Sequence, residues 1–354
     1  MVVRHRCFLG SVEDPEVSYT SVNRDLGEPP SRGFVRVDAP QPAPPRRLPL
    51  PTVGPRDVLV RVHAAALHRG DAFTMAGRPL MLRFALGLRR PGLGVPGRDL
   101  AGSVVAVGSR VEDLAPGDDV FGWTAKGSLA EYVAAPADHF VRRPAGASMA
   151  EAAGLATSGL TALQACRDVA RIRPGQRVLV VGASGGFGHL AIQIAKALRA
   201  HVTAVCSAAN LDFVRSLGAD RAIDYAAEDV TDGDHVYDVI LANVETSSLA
   251  AMRRILGPDG TLVPNDGTGG GPLLGPLPRI VATRLRDLFT RQRLRPFLSL
   301  EKHADLVALA ELVETGRLMP VVGRTFALDD AAAALRQVAT GHTRAKVVVA
   351  VAEA

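Results

Sequence analysis

The run Gly182-Ala183-Ser184-Gly185-Gly186-Phe187-Gly188 stands directly after the apolar stretch VLVV and directly before HLAIQIAKALRA. Glycines at that spacing let a chain turn sharply out of a buried strand, approach a pyrophosphate with its backbone and press the next helix onto the strand. The helix N-terminus then favours the negative charge. A glycine triplet alone says little, but one set between a strand and a helix signals dinucleotide binding. The bland alternative is a tight strand-to-helix turn serving another ligand. Two rival nucleotide folds lack their own pieces. No G-x-x-x-x-G-K-[ST] loop occurs, and none of the 4 Tyr residues is followed by Lys four positions later.

The second informative turn is Val205-Cys206-Ser207-Ala208-Ala209-Asn210. A carboxylate at this place would hold the ribose hydroxyls of NAD and repel a 2′-phosphate; none is present, while Ser207 and Asn210 can donate hydrogen bonds. NADPH is therefore the expected cofactor. NADH stays open, because the turn also lacks a basic residue.

These turns need elements to hold them. From Asp57 the chain is strand-rich: DVLVRVHAAAL alternates, GRDLAGSVVAVGS is a glycine-bounded run, and PGDDVFGW turns into another strand. MAEAAGLATSGLTALQACRDVARI then carries Ala and Leu at helical spacing. After it, strands and helices alternate: QRVLVV, HLAIQIAKALRA, HVTAVCS, NLDFVRSLGA, RAIDYA, YDVILANV and GTLVPND. That order predicts an α/β fold with a doubly wound parallel sheet. The tail adds the helices EKHADLVALAELVETG and AAAALRQVATG, an extended piece MPVVGRTFALDD and a final strand AKVVVAV, a pattern that returns to the first domain. Residues 1–51, rich in Pro and Arg, read as loop with one short strand near 33–37.

Composition narrows the function classes. A chain of 354 residues suits two cores, and 47% hydrophobic with 22% charged residues is globular rather than disordered. No apolar run is long enough to span a bilayer and no signal peptide opens the chain, so a cytoplasmic protein without stable membrane insertion is expected. Cys7, Cys166 and Cys206 form no C-x-x-C pair, which argues against a disulfide framework or a structural zinc cluster. The net charge of +5 is spread over scattered Lys and Arg, so nucleic acid is not an expected partner.

Taken in order, VLVRVHAAALHRGD, GRDLAGSVVAVG, PGDDVFG, GSLAEYV, SGLTALQA, VLVVGASGGFGHLAIQIAKA, SLGADRAIDY and GHTRAKVVV resemble the medium-chain dehydrogenases/reductases of the zinc-less quinone oxidoreductase type. The resemblance covers about residues 57–351. It implies a GroES-like catalytic domain from residues 1–158 and 303–354, a Rossmann domain from 159–302 inserted between them, a cleft active site and a homodimer. The zinc-dependent branch places a Cys, a Gly-His-Glu histidine and a later Cys or His as ligands. The matching places here hold His68, Gly97-Arg98-Asp99 and a cysteine-free stretch around Gly154, a set that does not make a zinc site.

Without a Lewis acid, the economical reaction is hydride delivery to an already electron-poor carbon: a quinone or the conjugated C=C of a small apolar substrate. The resemblance puts His68 where the family often carries an Asn beside the nicotinamide. An imidazole there can hydrogen-bond a substrate oxygen or protonate an enolate; it also reads as a histidine satisfied by backbone groups that shapes the cleft. Asp71, Arg98 and Asp99 look like loop-fixing ion pairs, and Tyr132 like core. Thr161 is expected on the nicotinamide side, and Ser184, Gly185, Gly186, Phe187 and Gly188 on the pyrophosphate. The family pattern points to Tyr225, Arg344 and Lys346 near the adenosine phosphate, and to Asn243 and Gly267 along the ribose and nicotinamide. Residues 78–90, RPLMLRFALGLRR, read as a flap over the substrate mouth, or as an amphipathic helix touching a membrane. With Phe73 and Met75 the flap would line an apolar pocket. Two other readings stay open: an alcohol or carbonyl oxidoreductase on the same scaffold, and a non-catalytic NADPH-binding sensor or structural protein.

Overall fold

The parallel sheet expected from the strand and helix alternation is present in the computed structural model, which describes residues 4–7, 46–75, 95–232, 235–244, 247–265, 281, 283, 287 and 290–351. The expected strand near 33–37, the segment 78–90 and Gly267 lie outside the described residues. Six described strands run in the order Arg221–Asp224, His201–Cys206, Arg177–Val181, Tyr237–Ala242, Leu256–Pro264 and Arg293–Leu294, all parallel. Numbered along this sheet the order is 3-2-1-4-5-6, with the direction of winding reversing between Arg177–Val181 and Tyr237–Ala242. Ligands of such sheets bind beyond the carboxyl ends of the strands at that switch point. Val178, Leu179, Val180 and Val181 are all buried because helices cover both faces of the central strand, which explains its unbroken apolar run.

The second sheet of seven described strands is centred on Asp57–Leu67. Asp99–Val107 pairs antiparallel along one edge of that strand, with Asp99 opposite Ala66. On its other edge Tyr132–Pro136 pairs with residues 57–61, and Lys346–Ala350 pairs with residues 64–67, Val347 lying opposite Leu67. Val322–Ala327 adds parallel to Lys346–Ala350, so the tail completes the sheet built by the first part of the chain. The end of Asp57–Leu67, the start of Asp99–Val107 and the start of Lys346–Ala350 thus come together at one place.

The stretch beginning at Met149 does not form one helix. Helix Met149–Ala153 opens with a reciprocal cap in which Ser148 accepts from the Glu151 amide and Glu151 accepts from the Ser148 amide. The chain then passes Gly154 into helix Ala156–Gln164, followed by a wider π-type turn over Ala165–Val169. The N-terminal stretch also departs from expectation: Arg4–Cys7 and Arg46–Pro49 pair as an antiparallel ribbon. RHRC and RRLP show no alternation, and the ribbon is held instead by tertiary contact, with the Arg6 amide donating to Glu131 at 2.6 Å and Cys7 buried against Ala130.

Candidate active site

Strand Arg177–Val181 delivers Gly182 at φ +76°, from which residues 183–187 turn into helix Gly188–Ala197. A Cβ on Gly188 would lie 2.3 Å from the Gly182 carbonyl oxygen and 2.6 Å from Ala183 Cα, so the tight pass of the chain over itself needs glycine there. Ser184, Gly185 and Gly186 are half-buried. Phe187 is buried with its ring in the core, so what it can present to a ligand is backbone. His189 pins the turn from behind: Nδ1 donates to the Gly185 carbonyl at 3.0 Å and Nε2 accepts from the Val321 amide at 3.4 Å. Burial pushes this imidazole down to about 4, so it is neutral at pH 7.

Beside the turn, at the carboxyl end of His201–Cys206, Asn210 donates from Nδ2 to Ser207 Oγ at 3.0 Å. The Tyr225 amide donates to the Cys206 carbonyl at 3.1 Å, which sets Tyr225, 50% exposed, next to Ser207. The Arg344 guanidinium lies 4.2 Å from the ring centroid of Phe213, in the helix Leu211–Ser216 that starts right after Asn210. On the other side of the switch point the Asn243 amide donates to the Val181 carbonyl at 3.2 Å, and Asn243 Oδ1 accepts from Asn265 at 3.1 Å. Ser207, Asn210, Tyr225 and Asn243 therefore all lie just beyond the carboxyl ends of the parallel strands, with Arg344 stacked on the helix behind Asn210.

Lys346 does not join them. Expected near the adenosine phosphate, it is 1% exposed, with Nζ donating to Ser158 Oγ at 2.9 Å and lying 3.5 Å from Asp99 Oδ2. The reason is Ala345, held at φ +48°, which breaks the two-residue alternation that would have sent Arg344 and Lys346 the same way. The Ala345 amide donates to the Ser184 carbonyl at 2.7 Å, so this kink is tied to the nucleotide turn itself. The Lys346 stem runs past Gly154 and Gly186, where an added Cβ would lie 3.1 Å from its Cγ and 3.3 Å from its Cδ respectively.

Asp99, fully buried, accepts on Oδ1 from the Thr157 amide at 3.1 Å and from the Thr157 hydroxyl. Asp71, also buried, accepts from the His68 amide at 2.8 Å and lies 3.5 Å from His68 Nδ1. Burial raises the Asp71 carboxyl above its ordinary value, His68 and its amide pull it back, Asp99 pushes it up and Lys346 pulls it down. The other ring nitrogen of His68, Nε2, is buried with no hydrogen-bond partner among the described residues. Arg98 pairs with Glu301. The ion-pair reading of Asp71, Arg98 and Asp99 thus agrees with the geometry, while the partners Ser158, Thr157 and Glu301 had no sequence signal beyond their proximity to SGLTAL and the tail helix.

Thr161 donates to the Thr157 carbonyl at 2.7 Å, and Ser299 Oγ lies 2.9 Å from its hydroxyl, joining helix Ala156–Gln164 to the segment before helix His303–Glu314. Met75 is buried in the core against the seven-stranded sheet, and the segment 78–90 with which it was expected to line a pocket lies outside the described residues. One expectation needs correction. Tyr132, expected in the core, is only half-buried, at the first position of a strand whose middle three residues are buried.

Residues 54–145 match the model of the alcohol dehydrogenase GroES-like domain, and residues 217–349 that of the zinc-binding dehydrogenases. The chain is 32% identical over 316 residues to the chloroplastic quinone-oxidoreductase QR1 of Triphysaria versicolor, covering 85% of this chain and 92% of the relative. It is 36% identical over 320 residues to the trans-enoyl reductase pgmF of Aspergillus terreus, covering 85% and 88%. Among solved structures it is similar to the quinone oxidoreductase from Coxiella burnetii, with TM-score 0.75 and 29% identity over 87% of this chain and 94% of that one. The nucleotide turn at the switch point, the sheet completed by the tail and these likenesses agree: the chain belongs to the medium-chain dehydrogenase/reductase superfamily and is an NAD(P)H-dependent oxidoreductase.

Proposed function

We propose that this protein reduces a quinone or an activated C=C bond of a small apolar substrate with NADPH, without a catalytic zinc. The observation that carries the reading is the chemistry of the strand-end cluster. It offers one unpartnered donor nitrogen, His68 Nε2, and two buried carboxylates already engaged, Asp99 by Lys346 and Thr157 and Asp71 by His68. Among the described residues no three His, Cys, Asp or Glu side chains converge in a way that could hold a metal ion. The match to the zinc-binding dehydrogenase model covers residues 217–349 and leaves out His68, Asp71 and Asp99, and a zinc site would need three or four converging imidazole, thiolate or carboxylate ligands. Relatives named as quinone oxidoreductases and enoyl reductases favour the same substrate class.

The residues fit a nicotinamide dinucleotide. Ser184, Gly185, Gly186 and the backbone of Phe187 and Gly188 would hold the pyrophosphate at the N-terminus of a ten-residue helix. Ser207, Asn210 and Tyr225, with Arg344 behind them, would hold the adenosine end, and Asn243 and Thr161 the ribose and nicotinamide side. The absence of a carboxylate after Cys206 leaves room for a 2′-phosphate. When bound, the cofactor supplies the hydride. His68 then stabilises the charge that develops on the substrate oxygen and gives it a proton. We further propose the domain division 1–158 with 303–354 against 159–302, and a homodimer as the working form.

Steady-state NADPH consumption with a small quinone, a conjugated enone and a simple aldehyde tests this reading. The quinone or the enone is expected to turn over with kcat/KM at least about 10-fold higher for NADPH than for NADH, with the aldehyde inert. Turnover of the aldehyde alone, or of none of the three, would overturn it.

A further inference from the structure

We propose that Asp71 is a positioning residue for this reaction: it orients His68, and the two side chains together hold the single proton that the reduced substrate takes. The proposal rests on the reading above and adds the source of the proton and the group that controls it.

The argument starts from a charge count. Three neighbouring strands end at one place, and four ionisable side chains meet there: His68 after Asp57–Leu67, Asp71 on the following helix, Asp99 at the head of Asp99–Val107, and Lys346 at the head of Lys346–Ala350. Asp71, Asp99 and Lys346 are buried, and the His68 side chain is 21% exposed. Two buried carboxylates thus share one ammonium. Lys346 is 3.5 Å from Asp99, which leaves Asp71 with the imidazole as its nearest ionisable neighbour. A buried carboxylate beside a neutral ring would be an uncompensated charge, which is costly. One proton carried by the Asp71–His68 pair beyond that of the neutral ring balances the cluster.

Geometry says where that proton can go. The carboxylate is anchored by the His68 amide at 2.8 Å, so it sits on the Nδ1 side of the ring, and Nε2 is left buried and without a partner among the described residues. Hydride addition to the electrophilic carbon of an enone leaves an enolate, and net hydride transfer to a quinone leaves the monoanion of its hydroquinone. The Nε2–H bond then breaks and an O–H or C–H bond forms. The N–H electron pair stays on the ring, leaving a neutral imidazole beside the Asp71 carboxylate. Reprotonation of Nε2 from solvent, in the turnover step that releases product, restores the pair.

The test is the pH profile of kcat. Asp71→Asn retains an oxygen to accept the His68 amide and removes the charge. Without the Asp71 anion the two side chains no longer retain a shared proton as the medium becomes alkaline, so activity is lost at lower pH. The alkaline limb is expected to move down by about one pH unit or more, and kcat at pH 8 to fall about 10-fold. NADPH affinity, followed by nicotinamide fluorescence, should change less than about 2-fold, since Asp71 is not among the cofactor ligands. A folded, NADPH-binding Asp71→Asn protein whose limb has not moved would overturn the proposal. If Asp71→Asn does not fold, His68→Gln decides, because the limb should vanish with the ring, and a limb that survives would overturn the proposal. A wild-type protein inert towards every quinone and enone would overturn the proposed function and this inference with it. An active wild type with an unmoved limb overturns this inference alone.

Discussion

Lys346→Met should lower the free energy of unfolding by about 3–5 kcal/mol, read as a shift in urea midpoint at constant slope. Methionine fills most of the space of the lysine stem that passes Gly154 and Gly186, so packing changes little. The loss is electrostatic. Asp99 is 0% exposed and would keep only the Thr157 amide and hydroxyl, while Ser158 Oγ would lose its 2.9 Å donor. Removing one member of a buried pair costs more than removing both, because the survivor is left charged and dry. The double variant Lys346→Met with Asp99→Asn should therefore recover about half or more of the loss, a coupling that a double-mutant cycle measures directly. A single-variant loss below about 1 kcal/mol, the range of exposed pairs, would mean that water reaches this cluster.

Gly188→Ala should remove NADPH binding, with affinity down by about 100-fold or more, and should leave the fold recognisable by circular dichroism. The added methyl carbon would meet the Gly182 carbonyl oxygen at 2.3 Å and Ala183 Cα at 2.6 Å, both backbone atoms that no side-chain rotation can move aside. Relief requires opening the turn or lifting the helix start, and either displaces the amides that would face a pyrophosphate. Gly146→Ala is the matching control, since a Cβ there meets nothing within 4 Å and its affinity should stay within about 2-fold. Equal loss in both variants would place the effect outside the turn.

Much of this molecule is legible in its sequence because the signals are local. A buried strand, a glycine turn and a helix lie consecutively in VLVVGASGGFGHLAIQIAKA, so a turn suited to a dinucleotide needs no tertiary information to be noticed. The order of strands and helices likewise implied the doubly wound sheet. What stayed hidden depends on geometry that spacing does not encode. Arg344 and Lys346 are two residues apart and read as one basic pair; only the left-handed Ala345 between them sends one onto Phe213 and the other beneath the turn. His189 reads as part of an ordinary helix, yet it ties the turn to Val321, 132 residues away. Asp71, Asp99 and Lys346 are separated widely along the chain and become one cluster only when three strand ends coincide. The pairing of Arg4–Cys7 with Arg46–Pro49 was invisible for the same reason, since neither segment carries a pattern of its own.

The most direct test of metal-free hydride transfer is turnover of NADPH carrying deuterium at the transferable C4 position, by protein stripped with a strong chelator, in ordinary water. The expected result is full activity after stripping, a slower rate with the deuterated cofactor, and one deuterium on the electrophilic carbon of an enone product with a solvent-derived hydrogen at the neighbouring position. Activity that disappears on chelation and returns with added zinc, or an enone product without deuterium, would contradict it.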